Sequence, residues 1–175
     1  RFDIVTAHLG TALLFFGTLL TLAMLLRPYR AVGSVGALRW LGLTATVLVY
    51  IQSILGGIVA SRWALHQCLG GGTLCSVMNS HIAGVVPATL ATLAVVIGTW
   101  RSPALPVILR RLSGAAGLAL VAQASLGVLA LKLRLQVEPL TVSHQIVGAV
   151  LFGILIAFTV LAWRDAQATV SLTVK

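Results

Sequence analysis

The chain reads as long apolar runs separated by short polar breaks, with no sustained alternation of apolar and polar positions. Five runs are long enough to cross a hydrocarbon layer as helices, which takes about 20 residues each. They cover Ile4–Leu26, Leu38–Ala60, Ser80–Trp100, Leu112–Leu131 and Thr141–Trp163. Strands are a poor alternative, because the runs are continuous and an open sheet edge in lipid leaves backbone groups unpaired. The pattern predicts an all-α integral membrane protein with five transmembrane helices.

Composition strengthens that reading. The 175 residues are 59% hydrophobic and 9% charged, where a soluble domain is about 45–50% apolar and about 25% charged. No polar stretch exceeds a loop, so a large soluble domain is excluded. The first run has neither a basic leader nor a cleavage site, and a signal peptide is not expected. Because the chain opens on Arg1 and not Met, it is expected to be a piece of a longer protein or an incomplete chain.

The formal charge of +9 would suggest nucleic acid on a soluble domain. Here the basic residues stand singly or in pairs between apolar runs, with no basic face and no interleaved aromatics. They record orientation instead. Arg27, Arg30, Arg39, Arg101, Arg110, Arg111, Arg164 and Lys175 fall on one side; Arg1, Arg62, Lys132 and Arg134 fall on the other. The larger group is expected in the cytoplasm, which leaves the N-terminus and the loop between the second and third runs outside. That loop holds Cys68 and Cys75 around Gly70, Gly71 and Gly72. Two cysteines closing a short glycine-rich loop on an oxidising face read as a disulfide.

An internal repeat emerges when the histidines are used as anchors. Aligning His8 with His144 brings Phe16-Gly17 onto Phe152-Gly153, and Leu19 onto Leu155. The second and fourth runs share Gln52-x-x-Leu55-Gly56 and Gln123-x-x-Leu126-Gly127. Duplication of a helix pair accounts for both matches.

Ionisable groups inside a span are functional candidates by default. Asp3, Glu138 and Asp165 all fall at span ends, so no buried carboxylate is expected as a base or proton relay. No nucleophile has a His–Asp partner. His8, His81 and His144 remain, each near the start of an odd-numbered run and so at one membrane depth. Imidazole suits zinc, copper or haem iron, but the first two want further close ligands, whereas haem needs only two axial ones. One turn on from these histidines stand Ala12, Gly84 and Gly148, small residues that give a flat macrocycle room to approach. Arg62, Lys132 and Arg134 at the same face are candidates to pair with haem propionates. Each histidine taken alone has a plainer reading as an interfacial or backbone-satisfied side chain, and it is the shared depth of three that favours ligation. His66 keeps the plain reading. Gly56-Gly57, Gly84 and Gly127 serve equally well as small-residue helix contacts, and Pro87 either kinks the third helix to shape a crevice or is tolerated packing.

These residues together resemble haem A synthase in its cyanobacterial version. The likeness is carried by Val5-Thr6-Ala7-His8-Leu9-Gly10-Thr11-Ala12-Leu13-Leu14, by Gln52-Ser53-Ile54-Leu55-Gly56-Gly57-Ile58-Val59-Ala60, and by Ser61-Arg62-Trp63-Ala64-Leu65-His66-Gln67-Cys68. Asn79-Ser80-His81 and Ser143-His144-Gln145 complete it, over essentially the whole chain. The resemblance implies eight helices in two pseudo-symmetric four-helix halves. Residues 1–30 would be the last helix of the N-terminal, substrate half; 31–166 the C-terminal haem b bundle; 167–175 a cytoplasmic tail. It implies that His81 and His144 ligate haem b and that His8 belongs to the substrate haem site. The partner of His8 and the family's nearby glutamate have no counterpart here, so either about three helices precede Arg1 or the chain is a shortened relative. The implied reaction oxidises a ring methyl of haem O to the formyl group of haem A, with haem b relaying electrons. The implied setting is a bacterial plasma or thylakoid membrane, with the haem sites toward the outer or lumenal face. Implied partners are the farnesyltransferase that makes haem O and an unidentified electron donor, with a homo-oligomer also open. A cytochrome b-type electron-transfer subunit, and a subunit whose histidines only pack, are the competing readings.

Overall fold

The computed structural model describes residues 2–60 and 73–173. Within them the chain forms α1 (Phe2–Leu26), α2 (Leu38–Ala60), α3 (Thr73–Trp100), α4 (Val107–Lys132) and α5 (Glu138–Thr173). All five contain stretches long and apolar enough to cross a membrane. Lipid offers no hydrogen bonds, so each backbone satisfies its own groups as a helix and only the connections break that pattern.

The first two helices end where the apolar runs end, whereas the others are longer than the runs. Helix α3 starts at Thr73, α4 at Val107, and α5 runs from Glu138 to Thr173, which makes residues 167–173 a helical extension of the last span. Polar residues flanking a run simply continue the helix. Punctuation comes from proline and from left-handed residues. Pro28 follows the end of α1, Pro106 caps α4, and Pro139 sits in the first turn of α5, where a missing N–H costs nothing. Helix α4 stops in a Schellman turn: Leu135 N donates to Ala130 O at 2.9 Å and Arg134 N to Leu131 O at 3.0 Å. Arg134 and Leu135 take φ of 53° and 57° there, a conformation that disfavours side chains by about 1–2 kcal/mol each. Pro87 lies within α3 without interrupting it.

Helices α2, α3, α4 and α5 close a ring in which each packs on the next and α5 returns to α2. Helix α1 lies outside the ring, against α2 and α5. The middle of α5 is therefore covered on all sides: Leu155, Phe158, Leu161 and Ala162 are almost wholly buried, as expected for a helix apolar around its whole circumference. Close approach depends on glycines. A Cβ on Gly42 would lie 2.8 Å from Thr159 Oγ1, next to the Thr46–Thr159 hydroxyl contact of 3.2 Å that joins α2 to α5. Phe16 lies on Gly153 while Phe152 lies on Gly17, so the Phe-Gly pairs matched in the repeat pack reciprocally across the α1–α5 contact.

One expectation fails at the end of α5. Asp165 is fully buried because α5 continues past it and the α1–α2 connection folds over it. Its Oδ1 accepts from Val32 N at 2.8 Å and Tyr29 Oη at 3.3 Å, and its Oδ2 accepts from Ser34 N at 2.9 Å. Charge-assisted bonds to backbone N–H groups explain a buried carboxylate without a catalytic role. Next to it, Arg164 donates to Met24 O and Arg27 O at 2.5 and 2.8 Å, covering the carbonyls that the last turn of α1 leaves open. Its guanidinium also lies over the Tyr29 ring.

Candidate functional site

At the opposite end of the ring, the second half of α2, the first half of α3, the second half of α4 and the first half of α5 surround a cavity of about 320 Å³. Leu9 and Leu13 of α1 reach its wall, and His81 and His144 face it from α3 and α5. Both histidines lie roughly two turns, or about 10 Å, inside their helices. They are deeper than the sequence pattern placed them, because α3 and α5 start before their apolar runs. The remaining lining is mainly aliphatic, interrupted by Gln52, Gln123 and Gln145 and by the hydroxyl residues Ser53, Thr89 and Thr141.

Two copies of one local device build this site. In α2, Gly56 seats the His81 ring, with the position of a Cβ 3.1 Å from Cε1; in α4, Gly127 seats the His144 ring, at 2.9 Å. One turn before each glycine stands a glutamine, Gln52 or Gln123. One turn beyond each histidine stands a glycine, and there the glutamine amide lies: a Cβ on Gly84 would overlap Gln52 Nε2 itself, and one on Gly148 would lie 3.1 Å from Gln123 Nε2. At Gly84 and Gly148 the clearance is taken by carboxamides, and it is Gly56 and Gly127 that the imidazoles touch.

The two copies differ in hydrogen bonding. His144 Nδ1 is 3.1 Å from the Gln123 main-chain carbonyl, which fixes the proton on Nδ1 and leaves Nε2 as an acceptor. The Gln123 amide donates to that Nε2 at 3.2 Å. In the other copy the Gln52 carbonyl faces the His81 ring, but His81 Nδ1 is buried without a hydrogen-bond partner. Gln52 Oε1 and Gln123 Oε1 are buried and unpartnered as well. Polar atoms left unpaired in an apolar setting cost about 1–3 kcal/mol each, so this end is not at its electrostatic best with protein groups alone.

The other sequence candidates scatter. His8 and Ala12 share an exposed face of α1, and His8 does not line the cavity. Lys132 and Arg134 stand at the correct end but are exposed and outside the cavity wall, which Leu131 and Leu135 complete instead. Arg62, His66 and Cys68 lie outside the described residues, and so does the expected Cys68–Cys75 pairing; no described cysteine is free. Gln52 and Gln123 were visible in the sequence as the repeat but were not read as site residues. The signal that would have found them is the rule that a buried amide in a membrane span needs a partner.

Among the described residues no three His, Cys, Asp or Glu side chains come together as a metal site. Two imidazoles facing one apolar space suit a metal whose other ligands arrive with it, as the four nitrogens of a tetrapyrrole do. The backbone carbonyl that holds His144 Nδ1 is the kind of outer contact that orients a ligating histidine. The cavity is at the small end of the usual range for ligand pockets, about 300–1,000 Å³. The chain matches no protein-family model, no curated protein and no solved structure.

Proposed function

We propose that this chain is the haem b-holding part of a haem A synthase, an oxidoreductase that converts haem O to haem A. One observation carries the haem half of the reading: His81 and His144, far apart in sequence, line the same apolar cavity, each seated on a glycine of the preceding helix. In this reading His81 and His144 would hold the haem iron through neutral imidazoles, Gly56 and Gly127 would fix the ring planes, and the aliphatic wall would exclude water. Bound haem b would supply a redox-active iron able to pass single electrons. The synthase half rests on the resemblance of the histidine and glutamine segments, and the reciprocal Phe-Gly packing of α1 on α5 is compatible with two related halves. A Cys68–Cys75 disulfide and an outer or lumenal position for the cavity belong to the same proposal.

The exposed position of His8, outside the cavity, favours a second reading for the chain taken alone: a cytochrome b-type electron-transfer subunit. Expression in a bacterial membrane, followed by absorption and pyridine haemochrome analysis of the purified protein, tests the haem half. A low-spin haem b spectrum is expected, and absence of haem overturns it. Expression of the intact reading frame with a haem O source, with chromatography of the extracted haems, tests the reaction. Haem A is expected; its absence beside a haem b that reduces and reoxidises normally replaces the synthase with the electron carrier.

A further inference from the structure

We infer that Gln123 is a latch on His144, a positioning residue whose carboxamide occupies the very nitrogen that the haem reading assigns to iron. The inference rests on that reading for its consequence, but the latch itself is a property of the protein without haem.

His144 has two nitrogens, and the main-chain carbonyl of Gln123 claims Nδ1 at 3.1 Å. Nε2 then carries the lone pair, and the side-chain amide of the same residue donates to it at 3.2 Å. One residue of α4 thus holds both edges of an imidazole on α5. Gly127, one turn on, lets the ring approach closely, and Gly148 receives the amide. The backbone contact can persist when a metal binds. The side-chain contact cannot, since an amide proton and an iron compete for one lone pair. Once displaced, the carboxamide must turn, and its Oε1, buried without a partner at present, gains the chance to find one. Gln52 provides the internal control. It holds the equivalent position on α2 and fills the notch at Gly84, its main-chain carbonyl faces the His81 ring, yet its carboxamide makes no hydrogen bond to His81. Only one of the two imidazoles is latched by a side chain, so His81 is the side open to first ligation.

The test uses the haem-free chain in detergent, with histidine labelled by ¹⁵N. In the wild type the His144 Nε2 resonance should show a hydrogen-bonded, unprotonated nitrogen. Gln123→Met, unbranched and similar in length, should shift that resonance to an unbonded nitrogen while leaving Nδ1 protonated. Gln52→Met should leave it unchanged. Titration with iron protoporphyrin IX then reads the consequence: losing one competing hydrogen bond should tighten binding by about threefold to tenfold in Gln123→Met. Gln123→Ala serves if the methionine variant does not fold. An unchanged Nε2 resonance overturns the latch, and weaker binding in a variant whose resonance has moved overturns its restraining role. If the resonance moves but no form of the protein takes up the porphyrin, the latch stands and the haem reading falls.

Discussion

The two ends of the helical ring solve the same problem in opposite ways. At the Asp165 end, one carboxylate takes two backbone N–H groups and a tyrosine hydroxyl, one guanidinium takes two carbonyls, and the buried atom left without a hydrogen bond, Arg39 Nε, belongs to a guanidinium that rests on the Trp163 ring. At the histidine end, Gln52, Gln123 and His81 each bury an unpartnered polar atom, and they do so around a cavity. A deficit gathered around a cavity is what a ligand would relieve, so in the proposed function the histidine end binds while the Asp165 end ties the chain together.

Substitutions can break that contrast. The largest effect is expected from His81→Ala and His144→Ala, each of which should abolish a low-spin haem spectrum in purified protein while leaving the helical content of the ring intact. Unchanged spectra in both would remove the binding role from this end. Next, Asp165→Ala should lower stability by about 3 kcal/mol, because it strips an acceptor from buried N–H groups. Unfolding in a denaturing detergent measures it, and a loss under about 1 kcal/mol would make the pairing there incidental. The matching change at the other end, Gln52→Leu, should be neutral or stabilising by up to about 1 kcal/mol in haem-free protein, since it replaces an unsatisfied amide by apolar volume. A loss as large as that of Asp165→Ala would erase the distinction.

The smallest effect concerns alkaline pH. The Tyr29 hydroxyl is pushed well above its ordinary value, first by burial and then by the Asp165 carboxylate beside it. A phenol that ionises less readily when folded contributes stability that is complete below about pH 10 and declines as pH rises beyond it. Tyr29→Phe should therefore flatten the fall in stability between neutral pH and about pH 11, read from melting temperatures across that range. An unchanged slope would place the alkaline sensitivity elsewhere.

Which features could be read from the chain follows from the physics of each. The spans at 4–26 and 38–60 agree with the structure to the residue, because apolar length alone decides them and Pro28 closes the first. The later helices outrun their apolar stretches because Thr73, Glu138 and Gln167 are compatible with a helix even though they contribute nothing to hydropathy. That error moved His81 and His144 outward by about a turn. Their convergence on one cavity was legible, since helices at similar depth in a small ring have few other places to face. Asp165 was misjudged: its pairing is with residues of a loop more than a hundred positions away, and no local pattern announces such a contact. The glycines are legible as gaps but their neighbours are not, for spacing along one helix does not say which side chain of another fills the gap.

The grip of Asp165 on the first connection also bears on how such a chain is completed during synthesis. Helix α1 and the turn after it leave the ribosome well before the groups that hold them, Arg164 and Asp165 of α5. Until α5 arrives, Val32 and Ser34 have only water for their N–H groups, and α1 lacks the α5 surface that its Phe16 and Gly17 fit. Closure of the first connection thus waits for α5. A ribosome stalled before Trp163 would leave α1 loose beside an unfinished ring, and the membrane quality-control machinery would meet it unheld.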